Sequence, residues 1–191
     1  MKRLLSNGIC AFLTLFKFLT IKAFHFRKFV FHIPSLFQKS SKIVIRENGK
    51  IFLGKKVIAL SNVELWATEK GNLFIEGSVF INSGTKIVSQ ESIHIGSGTT
   101  IGPGVYIYDH DHNYGKIMPG EPEYITSPII IGKNVWVGAG AILLKGTSIG
   151  NNSIIGAGSL VNCSIPPDSI FIQKKESTII PISVHKRVNS L

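Results

Sequence analysis

Ile131-Gly132-Lys133-Asn134-Val135-Trp136-Val137-Gly138 and Ile149-Gly150-Asn151-Asn152-Ser153-Ile154-Ile155-Gly156-Ala157-Gly158-Ser159 decide how this chain folds. In each stretch an aliphatic residue is followed by glycine, and a second aliphatic residue stands six positions after the first. Leu143 and Val161 continue the count. Upstream, Ile95, Ile101 and Ile107 keep the same step, and a two-residue slip separates them from Ile75, Ile81 and Ile87. Weaker units precede these, as at Leu53. The position four after the aliphatic residue is small or β-branched: Thr85, Thr99, Val105, Val135, Ala141, Thr147, Ser153 and Ser159.

A fixed repeat of this kind marks a solenoid, in which each unit stacks on the next and the stack builds one continuous core. One six-residue unit makes one flat side of a triangular coil. The aliphatic side chain points inward, and the small residue shares the narrow interior with it. Corners need left-handed backbone, which glycine and asparagine adopt at little cost. An ordinary β-sandwich would show two-residue alternation with irregular turn spacing. It would not regain a six-residue frame after a long interruption. The sequence therefore predicts an all-β chain, a parallel β-helix of hexapeptide repeats over residues 41–172. A loop at 108–130 interrupts it, and a tail at 173–191 follows.

Residues 1–40 differ in kind. Lys2, Arg3, Lys17, Lys22, Arg27, Lys28, Lys39 and Lys42 precede the first acidic residue, Glu47, and carry most of the formal net charge of +10. A basic surface suits nucleic acid, membrane phosphate or an acidic substrate. Here the cations are interleaved with Leu4, Ile9, Phe12, Leu13, Phe16, Leu19, Phe24, Phe26 and Phe29. That is the composition of a basic amphipathic helix lying on an anionic leaflet, and it turns the expectation away from nucleic acid. Residues 4–21 fall short of a span because Lys17 interrupts them. No small-residue cleavage pattern follows. The competing reading is a helix that packs on its own domain or on a neighbouring subunit. Cys10 and Cys163 are too few for a disulfide framework, which points to the cytoplasm.

The stretch from about Asn72 to Pro167 resembles the hexapeptide-repeat acetyltransferases, among them the maltose, galactoside and nodulation-factor O-acetyltransferases and those of O-antigen and capsule clusters. The two blocks quoted first carry the resemblance, with Ile107-Tyr108-Asp109-His110-Asp111-His112 at the interruption. The resemblance implies a left-handed β-helix and a homotrimer with active sites between coils of neighbouring subunits. It implies acetyl-CoA as co-substrate and no metal requirement.

Acetyl transfer from a thioester to an alcohol needs a base for the hydroxyl proton, and histidine suits that task near neutrality. Counted from Ile107, the family position falls on His112, with His110 two residues away on the same side of an extended chain. The pair with Asp109 and Asp111 also offers metal-like donors, but the histidine spacing of the β-helix carbonic anhydrases is absent. Asn82 aligns with an asparagine that touches the acceptor in galactoside-type enzymes, and asparagine is equally a good corner residue. A family aspartate that helps hold the acceptor falls at Ser89, so the acceptor pocket differs. Trp136 lies beside the cleft in the family, and Gly138, Ala139, Ala157 and Gly158 match positions along the pantetheine arm. After Ile165-Pro166-Pro167 the family's Gly-x-Pro-Ala-[Lys/Arg] element is missing, leaving Lys174 and Lys175 as cations for the CoA phosphates.

The expected function is acetyl-CoA-dependent O-acetylation of a sugar hydroxyl, in an O-antigen or capsule precursor. The expected place is the cytoplasm, with peripheral attachment at the inner face of the cytoplasmic membrane through the N-terminus. The alternatives are N-acetylation of a nucleotide-linked amino sugar and a β-helix without catalysis.

Overall fold

A computed structural model describes residues 2–113 and 124–174. Helix α1 (Lys2–Phe24) leads into three parallel sheets, two of seven strands and one of six. The chain visits them in rotation, so each circuit is one coil of a triangular solenoid. Face one starts with Phe29–Phe31, face two with Leu36–Phe37 and face three with Lys42–Ile45. Six circuits are complete, and two strands of a seventh close the stack at Ile170–Phe171.

The register is the six-residue frame made physical. On face two Ile81, Ile101, Val137 and Ile155 pair in succession, and on face three Ile87, Ile107, Leu143 and Val161 do the same. All eight are fully buried. Thr85, Thr99, Thr147, Ser153 and Ser159 share the interior. The hydroxyls of Thr85, Thr99, Thr147 and Ser153 donate to backbone carbonyls, as where Thr85 donates to Gly102 O at 3.0 Å, so these buried polar groups are hydrogen-bonded. The corner between faces one and two carries Asn134 and Asn152 at φ 55° and 57°. The side-chain amide of Asn134 donates to Asn152 and that of Asn152 to Asp168, at 3.3 and 2.9 Å.

The stacked strands begin at Phe29, ahead of the boundary expected at residue 41. The coils before Ile95 are longer than three hexapeptides. Their strands on faces one and three run to four residues, and extra residues fill the corner from face three to face one, where Glu47 and Glu69 take positive φ. At that corner a Cβ on Gly71 would stand 2.0 Å from Ser89 O, so only glycine lets the coils close. These longer circuits explain why the six-residue frame fades upstream of Ile75. The helix expected at the N-terminus is present, and it packs on its own domain through Phe18, whose ring is fully buried against Phe29, Phe31 and Phe37.

Candidate functional site

Inward and outward positions alternate along each strand. After inward Ile107 and outward Tyr108, the next inward position is Asp109, and it is fully buried. A buried carboxylate must be paired or fully hydrogen-bonded. Asp109 Oδ1 accepts the Gln90 amide at 2.8 Å and faces His110 Nδ1 at 3.2 Å. Oδ2 accepts the Ser89 hydroxyl at 2.8 Å and the Glu91 amide at 3.0 Å. Burial would raise the Asp109 carboxyl, but the bonds from His110, the two amides and Ser89 outweigh it and hold it below its ordinary value. Ser89, where the family has an aspartate, thus serves the anchor of the histidine strand.

The chain leaves the stack here as a β-hairpin arm, His110–His112 paired antiparallel with Tyr124–Thr126. Lys145 Nζ lies 3.7 Å from Asp111 and ties the arm to the next coil. The two histidines have unequal surroundings. The His110 side chain is 15% exposed, edge-on to the rings of Tyr108 and Tyr124, and its Nδ1 faces a carboxylate acceptor, which favours the tautomer with Nδ1–H as donor and Nε2 as acceptor. His112 is exposed, with its ring 4.8 Å from that of Tyr124. His110 also borders a pocket of about 380 Å³ on face three, lined by Arg46, Trp66, Glu69, Gln90, Tyr108 and Tyr124 among others. Burial, and then the neighbouring Tyr106 and Glu64, push the Tyr108 phenol up, so it stays a protonated donor beside His110. Among the described residues no three His, Cys, Asp or Glu side chains converge as a metal site requires.

Another set of sequence-predicted residues gathers along the corner from face two to face three. Asn82 sits there with its Oδ1 accepting the Ser83 amide at 2.7 Å, two circuits before Gly138 and Ala139 and three before Ala157 and Gly158. Gly158 N–H donates to Ala139 O at 2.8 Å, and Gly140 repeats the bond one circuit earlier to Pro103 O at 2.9 Å. Trp136 flanks this edge on face two, 56% exposed and in register with Thr100 and Ile154. Lys174 follows the last face-two strand and is exposed; Lys175 lies outside the described residues, as do positions 114–123 of the expected loop.

The edge fits an extended amide-bearing arm. Gly138 is buried, and a Cβ there would meet Ala157 N at 2.6 Å, while Ala139 and Ala157 are exposed with only methyl groups. The result is a shallow track of backbone and methyls beside an exposed indole. Within one chain, however, this track and the histidine arm do not meet. They lie at opposite margins of face three, four to five extended residues apart, roughly 15 Å.

Sequence reasoning missed Asp109 as the anchor of His110, and Tyr124 as the ring between the histidines. The first was legible: strand alternation from Ile107 puts Asp109 inside. The second depends on how the arm folds back, which no local pattern gives.

The family profile "Bacterial transferase hexapeptide (six repeats)" matches residues 128–170. WbbJ of Escherichia coli strain K12, which bears the name of a lipopolysaccharide biosynthesis O-acetyl transferase, is 30% identical, with 82% of this chain and 84% of WbbJ covered. The chain spans about half the length of other curated relatives, the galactoside O-acetyltransferases of E. coli and Lactococcus lactis (49% and 48%). Among solved structures, AntD, an N-acyltransferase from Bacillus cereus, shares the fold at TM-score 0.66 and 18% identity over 89% of this chain and 92% of AntD. A Vibrio cholerae hexapeptide-repeat acetyltransferase in complex with acetyl-CoA matches at TM-score 0.51 and 25% identity over 75% of this chain and 64% of its own. With its repeat, its coil register and WbbJ alike along most of both chains, the protein belongs to the hexapeptide-repeat transferase family.

Proposed function

We propose that the protein is an acetyl-CoA-dependent O-acetyltransferase acting on a hydroxyl of a cell-envelope saccharide, an O-antigen or capsule precursor, at the inner face of the cytoplasmic membrane. The observation that carries this reading is the Asp109–His110 pair at the mouth of the face-three pocket. The likeness to WbbJ along most of both chains supports the substrate class.

In this reading His110 is the general base. Asp109 fixes the ring with Nδ1 as the donor, so Nε2 takes the proton of the acceptor hydroxyl as the oxygen forms its bond to the acyl carbon. The buried carboxylate stabilises the imidazolium, which then gives its proton to the departing sulfur. Acetyl-CoA supplies the activated acyl group when bound. Gly138, Ala139, Ala157 and Gly158 would hold its pantetheine arm, and Lys174 its phosphate end. Sequence order favours His112 for the base; the surroundings favour His110, because its ring nitrogen faces a buried carboxylate whereas the His112 imidazole is exposed on a tyrosine face.

The separation of track and arm across face three supports assembly. A homotrimer that places one subunit's track against the next subunit's arm would complete each site. The test is thioester release from acetyl-CoA with a panel of deacetylated bacterial glycans, followed by subunit mixing. His110→Ala and Trp136→Ala proteins, each weakly active alone, should regain activity when unfolded together and refolded. Thioester release that no glycan stimulates would refute the function. Failure of the mixture alone would refute the shared site.

A further inference from the structure

The first coil's three strands are terminal in their sheets and present one unpaired edge. Helix α1 lies across it and satisfies a carbonyl for each face. Lys22 Nζ donates to Phe29 O at 2.7 Å, Thr14 Oγ1 to Phe37 O at 3.2 Å, and Lys17 Nζ to Ser41 O, just before the face-three strand. The helix thus spends polar side chains inward. From Ile9 onward its outward face is mostly apolar: Phe12, Phe16 and Leu19 stand at the i, i+4, i+7 spacing of one helical face with Ile9 beside them, and the exposed Thr20 turns its hydroxyl to Phe16 O at 2.9 Å. Phe24, Phe26 and Ile33 extend the patch, and four of its phenylalanines (12, 16, 24 and 26) are 67–82% exposed. A cap facing water has the opposite arrangement. An apolar end of this extent marks an interaction surface.

The rim names the partner. Arg27 and Lys39 are exposed around the cap, and Lys50, Lys55 and Lys56 follow on the second coil. No acidic residue occurs before Glu47. Exposed Glu47 stands among these cations, so the rim is net basic; two copies meeting cap to cap would bring two net-basic rims together, whereas anionic headgroups neutralise them. Among the described residues no helix is long and apolar enough to cross a membrane.

We infer that the outer face of α1, with Phe24, Phe26 and Ile33, inserts into one leaflet of an anionic membrane and stands the coil stack upright on it. This deepens the proposed location and does not depend on which histidine is the base. It also sets a height. His110 follows the fourth face-three strand counted from the cap. Three rungs of about 4.8 Å plus a helix thickness of about 10 Å put it roughly 25 Å from the lipid-contacting surface. The face-three pocket lies on that path. An acceptor anchored in the same leaflet would be modified on a sugar held away from the headgroups.

The test is flotation of the full-length protein with vesicles of phosphatidylethanolamine and phosphatidylglycerol, against phosphatidylcholine alone, at about 0.15 M and about 1 M salt. The protein should float with the anionic vesicles and less at high salt. Phe12→Glu/Phe16→Glu should weaken binding about 100-fold or more and leave thioester release with soluble glycans unchanged. Brominated lipid should quench the fluorescence of a Phe12→Trp protein and spare Trp66 and Trp136 in the wild type. Absence of flotation, undiminished flotation of the double glutamate variant, or quenching of the native tryptophans would overturn the inference. So would a double variant whose only change is a smaller assembly in sedimentation, which would make the face a contact between copies. Loss of thioester release in a wild type that still floats would refute the proposed chemistry and leave the membrane face standing.

Discussion

Replacing Asp109 by asparagine tests the anchor with almost no change in volume. Each carboxylate oxygen receives two donors, a backbone amide and one side-chain group. An asparagine offers one oxygen and one NH₂. If the NH₂ takes the Oδ1 position, His110 can switch tautomer and accept, but the Gln90 amide loses its acceptor. If it takes the Oδ2 position, Ser89 can rotate to accept, but the Glu91 amide is orphaned. Either orientation leaves one N–H unmet near full burial, costing about 1–3 kcal/mol, and replaces charge-assisted bonds by weaker neutral ones. Together these predict a loss of about 3 kcal/mol, read as a lower midpoint in urea at neutral pH with an unchanged slope. The pH dependence has a definite sign. The folded carboxyl titrates below its ordinary value, so the unfolded chain binds the more protons in acid and stability rises with pH there. The stabilisation is fully present above the unfolded carboxyl's pKa, about 3.9, and is lost as pH falls through the folded value. The gap between wild type and Asp109→Asn should therefore hold from neutrality to about pH 4 and shrink below it. Equal stability at neutral pH, or a gap that widens in acid, would refute the reasoning.

Three other outcomes follow from the same packing. His110→Ala should lower kcat by about 10²–10⁴-fold with little change in acetyl-CoA affinity, and His112→Ala should cost far less; steady-state kinetics with a saturating glycan acceptor would expose the reverse order. Gly71→Ala should destabilise by about 3 kcal/mol or fail to fold, because its Cβ would stand 2.0 Å from the backbone oxygen of Ser89; a thermal melt at the wild-type midpoint would contradict it. Ile101→Ala empties one rung of a fully buried ladder and should cost about 2–5 kcal/mol in urea denaturation.

Much of this architecture is legible from residue spacing. Ile131, Val137 and Leu143 stand six apart because each coil of the later stack is three short sides, and a period is visible when nothing interrupts it. The upstream coils hide the same geometry. Their corner from face three to face one holds extra residues around Glu47 and Glu69, so the count slips while Phe29, Ile51, Leu73 and Ile93 still stack in register. The site divides in the same way. Trp136, Gly138, Ala139, Ala157 and Gly158 were recognisable because they belong to the repeat. The relative standing of His110 and His112 was not. Both occupy one side of an extended strand and both face Tyr124, and what separates them is the bond from His110 to Asp109, itself held by Ser89, Gln90 and Glu91 one coil below.

That bond rests on how His110 and its anchor share a strand end. The interior of the solenoid is narrow, and on face three the inward position at this strand end shrinks from Ile45 through Ala67 to Ser89 before reaching Asp109. The shrinkage opens room for a carboxylate, and the two free amides at the Gln90–Glu91 corner supply its donors. Displacing a carboxylate so held would strip hydrogen bonds from a buried charge, which is costly. His110 leaves the stack from the next residue and inherits that rigidity. Among the described residues, the arm beyond it is held by the antiparallel pairing of His110–His112 with Tyr124–Thr126 and by the Lys145–Asp111 pair. The orientation of the His110 ring is therefore set from the coil stack through Asp109. A base placed at His112 would depend on the arm alone. This is the physical ground on which the proposed reading sets the chemistry at His110.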